Sequence, residues 1–133
     1  MKQLLIHRML ALFLSVIVFT SCSKDKDRIY TANFQPEDFK IIITKKQLNT
    51  DNYYITFEVK NLKNESYESN SDDGYWRIRF KLKTTDGTEY IDEPFIENMS
   101  ANGSSINNAR IHFPEGKTVS EASLAFDFFD ANE

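Results

Sequence analysis

One thiol, one imidazole and a scattered set of carboxylates are the reactive side chains of this 133-residue chain once its first residues are excluded. Nucleophilic catalysis needs an activated Ser or Cys, a base and a group that orients the base. No Gly-x-Ser-x-Gly occurs, and His112 stands at the outward parity of an alternating segment, opposite Ile111, where it reads as a surface residue. The only other histidine, His7, lies in the apolar N-terminal stretch. Paired carboxylates could serve glycoside hydrolysis, with Asp92, Glu93 and Glu97, or Asp127 and Asp130, as the candidates. Their places in turns and at outward positions are those of solvated surface acids. The stretch ESYESNSDDG (65–74) collects Glu65, Glu68, Asn70, Asp72 and Asp73, oxygen donors of the kind Ca²⁺ takes. It lacks the D-x-[DN]-x-[DN]-G spacing that presents such ligands in register, and reads as a solvated loop. No catalytic residue, metal or cofactor is expected.

Binding is better represented. Arg77, Arg79, Lys81 and Lys83 alternate with Trp76, Ile78, Phe80 and Leu82, so on a strand the four cations share one face, about 6.6 Å apart. A stripe of this kind is either a solvent face neutralised by acids of neighbouring strands, such as Glu58 and Glu89, or a seat for an anionic protein or polysaccharide. Among the six tyrosines, Tyr54, Tyr67 and Tyr75 are the candidates for exposure, whereas Trp76 has core parity. Arg77, Arg79, Lys81, Lys83, Tyr54 and Tyr75 are therefore the candidate partner-binding residues.

The first 21 residues set the context for these groups. Lys2 and Arg8 precede an apolar run from Met9 to Phe19, followed by Thr20 and Ser21, the charged, apolar, small-residue order of a secretory signal. The run is too short for a membrane span, which needs about 20 residues. The single cysteine, Cys22, follows directly. It has no partner for an internal disulfide and no neighbouring Cys or His for a metal site. Thr20-Ser21-Cys22 resembles the bacterial lipobox, with Phe19 where Leu is usual; the resemblance implies that Cys22 receives a diacylglycerol and then becomes an acylated N-terminus. Several acyl chains anchor stably where one does not. Ser-Lys-Asp-Lys-Asp (23–27) resembles the charged export signal of Bacteroidota-type lipoproteins, which implies an outer-membrane lipoprotein of a Gram-negative envelope, on either face.

Loss of the signal removes Lys2 and Arg8 and leaves 14 basic against 20 acidic residues. Nucleic acid is excluded as a partner, because phosphate binding needs clustered Lys and Arg. Residues 22–38 read as a polar tether, with Ile29, Tyr30 and Phe34 able to dock late on the domain. From Phe39 the pattern turns to period two. Strands are expected at Phe39–Thr44, Tyr53–Lys60, Trp76–Lys83, Glu89–Ile91, Ala109–Phe113 and Leu124–Phe128. Asp86-Gly87 between two of them predicts a hairpin with positive φ at both central positions. Pro94 should end the short strand, Asn98–Ser105 should be loop, and Val119–Ala122 could form one helical turn.

Six or seven short antiparallel strands in residues 39–133 predict a small immunoglobulin-like β-sandwich, with a small barrel as the alternative. YITFEVKNLKNES (54–66), RFKLKTTDGTEY (79–90) and RIHFPEGKTVSEASLAF (110–126) resemble the FxLYD and telokin-like immunoglobulin-type domains of bacterial envelope lipoproteins. The chain departs from that pattern at Ala101-Asn102-Gly103, where a Pro-Gly turn is usual. The resemblance implies a fold more than an activity. The expected role is a lipid-anchored, non-catalytic binding or accessory module for a protein partner, with an immunity or inhibitor role of this chain among the forms this could take. Carbohydrate binding and a purely structural envelope role are the alternatives.

Overall fold

The computed structural model of the protein describes residues 31–132; the signal segment, Cys22 and the tether as far as Tyr30 lie outside the described residues. Six strands follow one another: β1 (Phe39–Leu48), β2 (Asn52–Asn61), β3 (Trp76–Thr84), β4 (Glu89–Asp92), β5 (Ser104–His112) and β6 (Val119–Asp130). A 3₁₀ turn, Pro36–Asp38, leads into β1. The strands form two three-stranded antiparallel sheets, β1-β2-β5 and β4-β3-β6. The sheets pack face to face as a sandwich rather than closing into a barrel. Their order is that of the immunoglobulin strands A-B-E over C′-C-F. Among the described residues, none occupies the position of strand G beside β6.

Strict alternation drives β2 and β3 into the centre. Tyr53, Ile55, Phe57 and Val59 of β2 and Trp76, Ile78, Phe80 and Leu82 of β3 are all buried, and the residues between them face outward. Phe57 and Phe80 meet across the sheets at 5.0 Å between ring centroids. Burying such side chains contributes about 1.5–3 kcal/mol each, which is why the two-residue period dominates the local preferences.

Several expectations need correcting. Phe34, read as a tether residue able to dock on the domain, is 1% exposed and packs against Phe39 and Tyr67 as part of the domain itself. With Ala32 it belongs to the core, so the packed unit starts at Ala32. Tyr67, read as a candidate for exposure, is fully buried; its hydroxyl donates to the Gly74 carbonyl and accepts the Trp76 N–H, so burial leaves no polar atom unsatisfied. Val119–Ala122 is strand, not helix, because β6 continues along β3 as far as Thr84. At the β3–β4 turn only Gly87 has positive φ, since Asn102 is the one non-glycine residue with that conformation among the described residues. Asp86 stays out of it because its carboxylate accepts the Thr84 hydroxyl and the Thr88 N–H, fixing an Asx-type turn.

The two sides of the sandwich differ. On the β4–β5 side, the Arg110 N–H donates to Asp92 at 2.7 Å and Tyr90 packs against Phe113, so the layers are joined. On the β1–β6 side both edges are free of strand partners among the described residues. There Phe39 stacks on Phe128, and Tyr53 of β2 bonds to Glu121 of β6.

Candidate functional site

The inward pull of Trp76, Ile78, Phe80 and Leu82 turns Arg77, Arg79, Lys81 and Lys83 to the outer face of β3. Three of these four cations are paired. Arg79 donates to Glu93 at 2.5 Å, Lys81 donates to Asp127, and Lys83 lies 4.0 Å from Glu89. The bond from Arg79 to Glu93 raises the guanidinium pKa further. Glu89 thus takes the neutralising part expected of it, weakly; Glu58 does not, because it lies on the other sheet beside Lys60. The stripe is therefore no open cationic track for a polyanion.

The fourth cation makes a different arrangement. Beyond Pro94 the chain stays beside β3: the Ile78 N–H donates to the Pro94 carbonyl and the Ile96 N–H to the Trp76 carbonyl, both at 3.0 Å. This pairing sets Phe95 opposite Arg77, with the guanidinium 5.1 Å from the ring centroid. Phe95 is 59% exposed. Beside it, Tyr75 is 41% exposed, held through its N–H by Asp130 and through its carbonyl by the Ala131 N–H. Ser69, Tyr75, Arg77, Phe95 and Asn132 line a shallow pocket of about 350 Å³ floored by Trp76. On the other flank of β3, Arg79 lies 4.3 Å over Phe129. One outer face thus carries two arginines, each laid on a phenylalanine, with a tyrosine at the end.

Of the candidate binding residues, Tyr75, Arg77 and Arg79 come together on this face. Lys81 and Lys83 continue it as a charge-paired rim. Tyr54 does not join them: it lies on the outer face of the β1-β2-β5 sheet, where Arg110 stands 5.7 Å from its ring. Phe95 and Phe129 were not legible as site residues. Phe129 could have been found from its parity, outward beside inward Phe128. Phe95 could not, because its position follows from the pairing of residues after Pro94 with β3.

The acidic loop behind this face is spent on its own fold. Asn70 accepts the N–H groups of Asp72 and Asp73, and Asp73 accepts from Glu68 and Asn33. Gly74 closes it with φ of 93°, and a Cβ there would stand 2.6 Å from Nε1 of Trp76. That indole donates to the carbonyls of Phe34 and Asp73, tying loop, N-terminal segment and core at one point. Among the described residues, no group of three or more His, Cys, Asp or Glu is placed to hold a metal ion. His112 is exposed near the end of β5. No helix among the described residues is long and apolar enough to cross a membrane.

No family model, no curated protein and no solved structure matches the chain.

Proposed function

We propose that this protein is a lipid-anchored, non-catalytic binding module of a Gram-negative outer membrane, and that it engages a protein partner through the face built by Tyr75, Arg77, Arg79, Phe95 and Phe129. The observation that carries the reading is Phe95, a phenylalanine 59% exposed beside a half-exposed tyrosine and under an arginine. Tyr, Trp and Arg dominate the energetic centres of protein interfaces, ringed by polar groups that exclude water. Here the ring of polar groups is Ser69, Asn132, Glu93 and the ion pair of Lys81 with Asp127.

A sugar platform fits less well. Stacking on a sugar needs a bare aromatic face. Phe95, Phe129 and Tyr54 each have an arginine over one face, and Tyr54 is on the far sheet. Anchoring rests on Cys22 and the residues around it in the sequence. Capture of envelope proteins by the wild-type protein, by Phe95→Ala and by Tyr54→Ala tests the face. A partner retained by wild type and Tyr54→Ala but lost by Phe95→Ala supports it; retention by all three overturns it. Incorporation of labelled palmitate that survives Cys22→Ser would overturn the anchor.

A further inference from the structure

We propose that the open side of the sandwich binds a second copy of this chain, with β1 of each copy pairing with β6 of the other. Phe126 marks the site. It is the cross-strand partner of the core residue Phe80 and so faces the interior, yet it is 41% exposed. Around it Ile41 and Ile43 of β1, and Leu124 and Phe128 of β6, face the core and are only partly covered. An apolar edge of this kind, with its backbone N–H and C=O groups unpaired, is a template for another strand.

The two edges match in level and in regularity. Phe39 stacks on Phe128, at 6.1 Å between centroids, and Tyr53, which is paired with Leu48, reaches Glu121. Across the gap β1 and β6 therefore run in opposite directions, residue 39 level with 128 and residue 48 level with 121. Each edge is irregular in its other half. The register of β1 shifts between Ile43 and Lys45, and that of β6 shifts opposite Lys81–Lys83, where Ser123 bonds to Lys83 and Ser120. The regular stretches are Phe39–Ile43 and Ala125–Phe128, at the same level, with Leu124 at the start of the shift.

A twofold axis parallel to the strands exchanges the two layers. It lays β6 of one copy beside β1 of the other, antiparallel, with core faces on the same side. Equal levels then set Phe39 across from Phe128, Lys40 from Asp127, Ile41 from Phe126, Ile42 from Ala125 and Ile43 from Leu124. Apolar inward residues meet apolar inward residues, and the one outward charge on each stretch meets its opposite, the favourable cross-strand arrangement. Pairing like edges instead sets Lys40 and Asp127 against uncharged residues. The interface is self-complementary and closed, as in most homodimers, and both free edges disappear in it.

Two measurements on the full-length chain in its own membrane test this. In the first, a photo-reactive phenylalanine analogue replaces Phe126. A product of twice the chain mass containing only this chain supports the proposal. No intermolecular product, or one joined to a different protein, overturns it. In the second, Lys40→Cys and Asp127→Cys are placed on separately tagged copies. Within one copy these positions lie on opposite outer faces of layers about 10 Å apart, beyond the roughly 7 Å that a disulfide can bridge. A disulfide-linked product carrying both tags, absent when Lys60→Cys replaces Lys40→Cys, supports the register. Its absence in properly folded protein, shown by protease resistance equal to wild type, overturns it.

Discussion

Tyr53 on β2 and Glu121 on β6 join the two sheets through one hydrogen bond, the tyrosine hydroxyl donating to the carboxylate at 2.7 Å. The tyrosine is otherwise buried, and burial, followed by the bond to and charge of Glu121, pushes its pKa up to about 12. The folded hydroxyl therefore holds its proton more tightly than the unfolded one. This contribution to stability is complete below about pH 10 and is lost as the pH rises to about 12. Tyr53→Phe should cost about 1 kcal/mol at neutral pH and show a shallower alkaline loss of stability than wild type. Denaturant titrations between pH 7 and pH 12 check both.

The acid end belongs to the β3–β4 turn. Lys117, then the bonds from Thr84 and Thr88, hold the Asp86 carboxyl well below the usual carboxylate range. Its contribution is present above the ordinary value near 3.8 and disappears as the pH falls through the folded value. Asp86→Asn should lower the neutral-pH melting temperature slightly, because the pair with Lys117 is solvent-screened, and flatten its decline below pH 4 so that the two proteins converge in acid, read by thermal scans across that range.

Phe34 tests where the domain starts. Truncating a buried phenylalanine costs about 3–5 kcal/mol. Phe34→Ala should therefore destabilise the domain by that order in urea unfolding. A tether residue would cost nothing measurable, and a chain that unfolds at the wild-type midpoint would place Phe34 outside the core.

Gly74 tests the knot of loop and core. Its positive φ excludes most side chains, and a Cβ would press on the Trp76 indole that holds Phe34 and Asp73. Gly74→Ala should cost about 1–3 kcal/mol. Gly87→Ala has open space around its Cβ and should cost less, about 1 kcal/mol from the backbone alone. Matched urea midpoints decide the order.

The sheet layers were legible because burial on one face imposes period two, and β2 and β3 keep it without interruption. Where the cause is not periodic, the sequence said less. Phe34 could be named as able to dock on the domain, but its place in the core follows a turn at Pro36–Asp38 that no alternation announces. Val119–Ala122 is strand because β3 offers it a partner, against a local pattern that permits a helical turn. The cations of β3 were visible as a stripe that acids of neighbouring strands could neutralise, but not that Glu93, just past β4, and Asp127 of β6 would be the partners, since only the fold defines which acids lie beside β3. Phe95 was missed for the same reason: exposure beside Arg77 follows from pairing beyond Pro94.

The face around Phe95 is the central claim, and crosslinking in intact cells tests it most directly. A photo-reactive phenylalanine analogue at position 95 of the full-length chain should yield one discrete adduct with another envelope protein. The same analogue at Tyr54 should yield none. An adduct at position 54 with none at 95, or no adduct at either position in protein that reaches the envelope folded, would contradict the account.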